Sequence, residues 1–328
     1  MTTHHNWDII GHEWAVEMLS WRLANNREAH AYLITGLQGI GKSLLARRLA
    51  QAINCAGDPR PCRVCRPCDL TERLVHPDVL IVEPEGASIK IAAMRDLQGF
   101  LTMRPFEARC RVVLLLDVDK ATGPAMDALL KTLEEPPATA RLILTASSAG
   151  ALLPTIVSRC QVIPLRPVPA PQIEAALIER QALPPDVAAT LARLSGGRPG
   201  WALSAAQTPA ILELRAATLE SIQGVLYASR VSRFAYAEQL AAHSEREMVL
   251  NLWRTWWRDV VLLAEGSTVP PVNGDHGAAL QAAAARVGRE AARQALLTVH
   301  RTITLLATTN VNSRLALEVM LLDMPYLG

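Results

Sequence analysis

The order of apolar and polar positions divides the chain into a first half of alternating strands and helices and a second half of helices. Four short apolar runs are typical of buried strands: 31–35, 79–82, 112–116 and 142–146. Helical periodicity surrounds and separates them: 12–26, the stretch to about 54, 90–103 and 122–134. Such alternation favours a parallel sheet with helices on its faces.

The pattern of residues changes after residue 159, and no further strand is predicted beyond it. The proline-dotted stretch 164–171 is typical of a linker. Residues 172–206 suit three short helices with breaks at 184–185 and 196–197, and 208–328 has longer patterns rich in Ala and Leu. The second half is therefore predicted to be all-helical.

Tryptophans mark two of the predicted helices. Trp14 and Trp21 lie at helical spacing and are most simply core residues. Trp253, Trp256 and Trp257 form an apolar stripe at i, i+3 and i+4. That stripe is interpreted as core or subunit packing, with a platform for stacking nucleic-acid bases as the alternative.

Composition places the chain among ordinary globular proteins. It has 328 residues, half of them apolar, with 20% charged residues and a net charge of +2. No run approaches the roughly 18 apolar residues of a membrane-spanning helix. The start, MTTHHNWDII, lacks a secretory pattern, so we expect a cytoplasmic protein that does not associate with a membrane. The small net charge predicts that any contact with DNA is local or shared with partners.

A glycine-rich segment follows the first predicted strand. Residues 36–43 match the phosphate-binding pattern in full, with Gly36, Gly41, Lys42 and Ser43 at the defining positions and Gly39 as a further glycine within the loop. Glycines let the backbone wrap phosphate oxygens, the lysine reaches the β/γ-phosphates and the serine can ligate Mg²⁺. The pattern predicts binding of ATP and Mg²⁺, with an empty loop that only keeps its shape as the alternative.

The acidic segment after the third strand is incomplete for hydrolysis. Asp117 can hold the water shell of Mg²⁺, but the next position, which normally carries the glutamate that activates water, is Val118. Asp119 would point to the opposite face if the strand continued. We therefore expect nucleotide binding with negligible hydrolysis by the isolated chain.

Four of the six cysteines form a cluster with two C-x2-C units. They are Cys55, Cys62, Cys65 and Cys68. In a cytoplasmic chain this spacing favours four thiolates around a structural Zn²⁺, with redox-active thiols or unrelated cysteines as alternatives. Three interleaved arginines, at 60, 63 and 66, would offset the negative charge of such a site.

One segment makes a family resemblance specific. Residues 129–137, LLKTLEEPP, resemble a signature of the bacterial clamp-loader family, AAA+ proteins that include the gamma/tau motor subunits and the delta-prime subunits. His30–Leu33, the four-cysteine insert and the Ser-Arg-Cys triplet at 158–160 agree with it. The resemblance spans about residues 8–165 and weakens to general helical character beyond.

The resemblance implies three domains and further site residues. These are an α/β AAA+ parallel-sheet domain at 1–165 with a zinc module at 55–68, a small all-α lid at 166–207 and an all-α collar at 208–328. It assigns Arg159 as an arginine finger acting in trans on a neighbour's ATP, where an isolated arginine would otherwise be a surface charge. Arg198 falls at the second sensor position, or is an exposed arginine in a helix-capping turn. The first sensor would be Thr145 or Ser147.

The implied assembly contains gamma/tau and delta subunits, a sliding clamp and primer-template DNA. Within the family, Val118 and the chain length favour the delta-prime type, whose finger completes a neighbour's ATPase site. The alternatives are a gamma/tau-like motor ATPase, a stand-alone AAA+ helicase or initiator, and a pure scaffold. A motor or stand-alone machine needs the missing glutamate, and a scaffold makes Arg159 dispensable.

Overall fold

The computed structural model describes residues 6–327, so the remaining terminal residues of the first and last predicted domains lie outside the described part. The chain forms two compact units, one ending at Ser204 and the other beginning at Ala205. No helix among residues 6–327 is both long and apolar enough to cross a bilayer.

The first unit is built on a five-stranded parallel sheet with the order β2-β3-β4-β1-β5. The strands are β1 Ala31–Thr35, β2 Val79–Val82, β3 Arg111–Leu115, β4 Ala140–Ala146 and β5 Gln161–Pro164. The predicted parallel α/β sheet is confirmed. The fifth strand was not predicted, because its four residues run directly into the proline-rich linker pattern.

Six helices alternate with the strands along the chain. They are α1 Glu13–Ala24, α2 Lys42–Asn54, α3 Arg66–Glu72, α4 Ile91–Thr102, α5 Gly123–Glu134 and α6 Pro154–Val157. Three short helices then follow as predicted: α7 Ala170–Gln181, α8 Pro185–Leu194 and α9 Pro199–Ala206. Prolines in the first turn of α7, α8 and α9 suit a helix start, where the missing N–H would have no partner.

Strand alternation assigns the side chains of the sheet to two separate cores. Tyr32 and Ile34 of β1 pack in a core with α1 and α2, whereas Ala31 and Leu33 pack in one with α4 and α5. This period of two is what a strand buried on both faces requires. The unit therefore has three layers, with the sheet in the middle.

The tryptophans of α1 are not core residues. Trp14 is 44% and Trp21 53% exposed, which contradicts the prediction from their spacing. The buried face of α1 consists instead of Ala15, Val16, Leu19 and Leu23. Two faces of this helix carry apolar residues, and the smaller side chains fit against the sheet.

The second unit contains five longer helices. They are α10 Ala210–Leu226, α11 Arg230–Ala242, α12 Arg246–Ala264, α13 Gly277–Thr308 and α14 Ser313–Leu322. The kink inside α13 falls at Gly288, whose φ of 73° is outside helical space. Trp253, Trp256 and Trp257 are at most 1% exposed, which confirms the packing interpretation of their stripe.

Arg233 fixes the end of the chain within this second unit. Its guanidinium is buried and donates to five backbone carbonyls: Val225, Leu226, Leu321, Met324 and Pro325. Carbonyls at helix ends lack intrahelical partners, so a buried guanidinium can satisfy several at once. The segment after α14 is thereby held against α10 and α11.

Candidate functional site: phosphate loop, exposed arginine and cysteine cluster

The phosphate loop joins β1 to α2. Gly39 has a φ of 77° and Gly41 a φ of 110°, in the region that L side chains avoid. The first amides of α2 face the loop, and a helix N-terminus attracts anions. The loop thus has the backbone conformation that a phosphate cradle requires.

Lys42 is folded onto this loop. Its Nζ donates to the carbonyl oxygens of Gly36 at 2.8 Å and Leu37 at 3.1 Å. Burial lowers the pKa of the Lys42 ammonium, and the charges of Asp117 and Asp119 oppose that effect. Ser43, the next residue, is exposed and lines a cavity of about 360 Å³. A nucleotide phosphate offers the ammonium acceptors that would replace the two carbonyls.

The acidic segment leaves strand geometry immediately after β3. Asp117 has a φ of 49°, its amide donates to Thr145 Oγ1 at 2.9 Å, and Lys120 Nζ lies 3.1 Å from its carboxylate. Val118 is fully buried in the core beneath the sheet. A residue whose side chain points into that core cannot hold an attacking water.

The strand does not continue to Asp119, so the condition under which this side chain was expected to point to the opposite face is not met. The chain turns into a single 3-10 turn at Val118–Lys120, and Asp119 lies close enough to Lys42 to affect its pKa. Ser147, at the end of β4, donates to Asp119 Oδ2 through both its Oγ at 2.6 Å and its amide at 3.2 Å. Thr145 and Ser147 thus contact different members of the acidic segment.

The start of α9 packs against the phosphate loop. The amide of Gly200 donates to the Gly39 carbonyl at 2.8 Å, and a Cβ on Gly200 would lie 2.9 Å from that same oxygen. Arg198 precedes α9, donates through Nε to the Ser195 carbonyl at 2.6 Å and lies over the Trp201 ring at 5.6 Å. The residue at the predicted second sensor position therefore sits within a few residues of a direct loop contact.

Arg159 lies between α6 and β5, so one strand follows the position after which no further strand was predicted. Its Nη1 donates to the Thr155 carbonyl at 2.9 Å, and its Nη2 lies 2.9 Å from the Glu134 carboxylate. The side chain is 35% exposed. Among residues 6–327, its hydrogen-bond and ion-pair partners are Thr155 and Glu134, and neither belongs to the phosphate loop.

The four clustered cysteines converge. The four Sγ atoms all lie within 4.8 Å of one another, and they belong to Cys55, Cys62, Cys65 and Cys68. Backbone amides of Gly57 and Cys62 donate to Cys55 Sγ, and that of Cys65 donates to Cys62 Sγ. Four thiol sulfurs at these separations, supported by N–H donors, fit tetrahedral coordination of Zn²⁺.

The pKa values within the cluster reflect two opposing effects. Burial acts to raise the pKa of Cys62, but hydrogen bonds from the amides of Val64 and Cys65 and contacts with neighbouring thiols lower it to about 6. Burial raises the pKa of Cys68. A bound cation would favour the thiolate form at all four positions.

Two of the three interleaved arginines form ion pairs with carboxylates outside the cysteine cluster. Arg63 lies 3.2 Å from Asp8 and Arg66 3.2 Å from Glu107, so carboxylates outside the cluster take their charge. Salt bridges of this exposed kind contribute little to stability. Arg63 and Arg66 thus connect the cysteine insert to residues outside it.

Sequence reasoning missed the residues that anchor the insert. Arg48 and Gln51 of α2 are 3% and 1% exposed, and both contact the Glu72 carboxylate at the end of α3. Gln51 also donates to the Cys68 carbonyl at 2.8 Å. The sequence signal was weak, because Arg48 and Gln51 are two of six polar residues on the helix that ends directly before Cys55.

A parallel sheet whose strand β1 leads through a glycine-rich loop into a helix defines a P-loop type of domain. Residues 11–169 match the family described as DNA polymerase III, delta subunit. The DNA polymerase III subunit delta' of Bacillus subtilis is 31% identical over 258 residues, which cover 77% of this chain and 78% of that protein. The chain belongs to this delta' family.

Two further likenesses are weaker or shorter. The gamma subunit of DNA polymerase III from Buchnera aphidicola is 37% identical over 156 residues, 47% of this chain and 43% of that protein. A gamma subunit-related protein from Thermotoga maritima has a TM-score of 0.47 at 19% identity, over 94% of this chain and 97% of that one. The family assignment therefore rests on the delta' sequence match.

Proposed function

We propose that this chain is the delta' subunit of a bacterial clamp loader and that Arg159 completes the ATPase site of a neighbouring gamma/tau subunit. The observation that carries the proposal is the match to a delta' relative along three quarters of both chains. The match to a gamma subunit covers less than half of this chain. Delta' identity therefore accounts for more of the sequence than a motor identity does.

The arrangement of Arg159 is suited to action in trans. Its guanidinium is anchored on one side and partly exposed on the other. An arginine approaching the γ-phosphate of a neighbour stabilises charge that develops during phosphoryl transfer, and this makes hydrolysis depend on assembly. In this role the chain, with delta and gamma/tau, loads a sliding clamp onto primer-template DNA in the cytoplasm.

The chain's own loop is proposed to bind ATP with Mg²⁺ without turning it over. Lys42 and Ser43 are available to the phosphates and the metal, and Asp117 to the metal's water shell. At the next position Val118 is buried and offers no proton acceptor. Nucleotide would therefore act here as a ligand and not as a substrate.

The three-domain division is part of the same proposal. Residues 1–165 would form the AAA+ domain, 166–207 the lid with Arg198 as second sensor, and 208–328 the collar that joins the ring. Zn²⁺ held by the four clustered cysteines would have a structural role, since all four positions of a tetrahedral site are filled by protein.

Reconstitution tests the proposal. Parent and Arg159→Ala chains are assembled with gamma/tau, delta, clamp and primed DNA, and clamp loading is measured. Loss of loading with intact assembly is expected, and unchanged loading would refute the finger. Lys42→Ala in the same assay reports whether this subunit's own loop contributes, and ATP turnover near one per second by the isolated chain would refute the non-hydrolysing role.

A further inference from the structure

The position of the Arg159 guanidinium is set by two acceptors from different elements. Nη1 donates to the Thr155 carbonyl of α6, and Nη2 to Glu134 at the end of α5. An exposed arginine side chain otherwise samples many rotamers, with about 2 kcal/mol of conformational entropy. Two acceptors on separate helices restrict it to one direction.

Glu134 is itself in a fixed place. It is the last residue of α5, and the buried Leu129 and Leu133 hold that helix on the sheet. Prolines at 136 and 137 prevent the helix from continuing. The carboxylate therefore projects from a rigid helix end, even though its side chain is 50% exposed.

Pairing with Glu134 leaves most of the guanidinium available. A guanidinium has five N–H donors, and the two recorded contacts use one on each terminal nitrogen. The remaining donors can meet phosphate oxygens without breaking the contact with Glu134. The ion pair is half-exposed and screened by water, so it contributes little binding free energy. Its main effect is to fix the direction of the Arg159 side chain.

We propose that Glu134 is a positioning residue for Arg159, which keeps the guanidinium in the orientation needed at the neighbour's ATP. This inference rests on the proposed finger role of Arg159. Loss of Glu134 leaves the finger present but misdirected, so kcat at the neighbouring site falls. KM for ATP stays constant because the neighbour's own phosphate loop binds the nucleotide.

The adjacent residue supplies a matched control. Glu135 has the same side chain, lies in the same motif and is also exposed, but among the described residues its carboxylate has no recorded contact with Arg159. The assay is DNA-dependent ATP turnover of the reconstituted ring, resolved by rapid quench into the contribution of the site that receives Arg159. The variants are Glu134→Ala, Glu134→Gln, Glu135→Ala, Arg159→Ala and the double variant with alanine at 134 and 159.

We expect Glu134→Ala to lower kcat at the site that receives Arg159 roughly three- to tenfold, within the range of couplings measured for contacting residues. Glu134→Gln retains an acceptor oxygen and should restore most of the rate, and Glu135→Ala should leave the rate unchanged. In the Arg159→Ala background, Glu134→Ala should have no further effect.

Three results would overturn the positioning role. They are an unchanged or faster rate with Glu134→Ala, an equal loss in the Arg159→Ala background, and a loss that appears in KM instead of kcat. If Arg159→Ala lowers the rate and Glu134→Ala does not, only this inference fails. If Arg159→Ala has no effect, the finger proposal fails as well.

Discussion

The glycine pair before Arg198 offers a sharp test of how the start of α9 is held. Gly196 and Gly197 have φ values of 58° and 81°, so alanine at either position meets the left-handed penalty of about 1–2 kcal/mol. Their surroundings differ. A Cβ on Gly196 would meet nothing within 4 Å, whereas one on Gly197 would lie 2.5 Å from Pro167 Cβ and 2.9 Å from the Val168 amide nitrogen.

The difference in free energy of unfolding follows from that contact. The backbone of Pro167 and Val168 cannot rotate away, and overpacking of this kind costs about 1–3 kcal/mol more. Gly196→Ala should thus destabilise the first unit by about 1–2 kcal/mol and Gly197→Ala by about 2–5 kcal/mol. For a unit of this size each kcal/mol shifts Tm by about 2–4 °C.

The two variants are compared by urea unfolding followed by circular dichroism, with Tm from calorimetry as a second readout. Gly197→Ala should have the lower midpoint. It should also weaken ATP binding, because the displaced segment carries Arg198 and the Gly200 contact to the loop. Equal midpoints for the two variants would show that the close approach of Gly197 to Pro167 does not constrain the folded chain.

Three further predictions concern the metal, acid stability and the second unit. The parent purified without added metal should contain one zinc per chain by metal analysis. Cys65→Ser should lose it and Cys160→Ser should keep it, and a well-folded parent without zinc would remove the claim. Burial acts to raise the pKa of Asp78, but three backbone N–H donors and Arg111 hold it below the usual 3.8. Asp78 therefore stabilises the fold above about pH 4, and this stability is lost as pH falls through the depressed value. The stability gap between parent and Asp78→Asn should shrink between pH 7 and pH 3, and a constant gap would contradict this. Arg233→Met should destabilise the second unit by about 3 kcal/mol or more in urea unfolding, because five buried carbonyls lose their donor. A loss under 1 kcal/mol would contradict it.

Apolar runs and helical periodicity made the architecture predictable from the sequence. The bounds of β1 and β2 agree with their apolar runs, and β3 and β4 begin one and two residues earlier than predicted. The strand β5 was missed because four residues give too little periodicity to outweigh neighbouring prolines. The prediction that Trp14 and Trp21 are core residues was wrong for another reason. Spacing identifies an apolar face of a helix, but it does not show which of two such faces packs against the sheet.

The candidate site was predictable where chemistry depends on local spacing. The phosphate loop and the four cysteines each form one compact group, because both are encoded within a short segment. The contact of Asp119 with Ser147 was not predictable, since it depends on the chain leaving strand geometry at Asp117. The partners of Arg159 required the fold, because Glu134 lies 25 residues away in sequence.

The most direct test of an arginine finger in trans is ATP hydrolysis at the site that receives Arg159. A rapid-quench experiment follows the first turnover of the reconstituted ring after it meets clamp and primed DNA, with parent or Arg159→Ala as the only difference. An arginine finger supplied in trans raises kcat by a factor of about 10³–10⁵. We expect one site's share of the burst to disappear in the variant, with the other sites unaffected, while a burst of unchanged size and rate would contradict a finger supplied by Arg159.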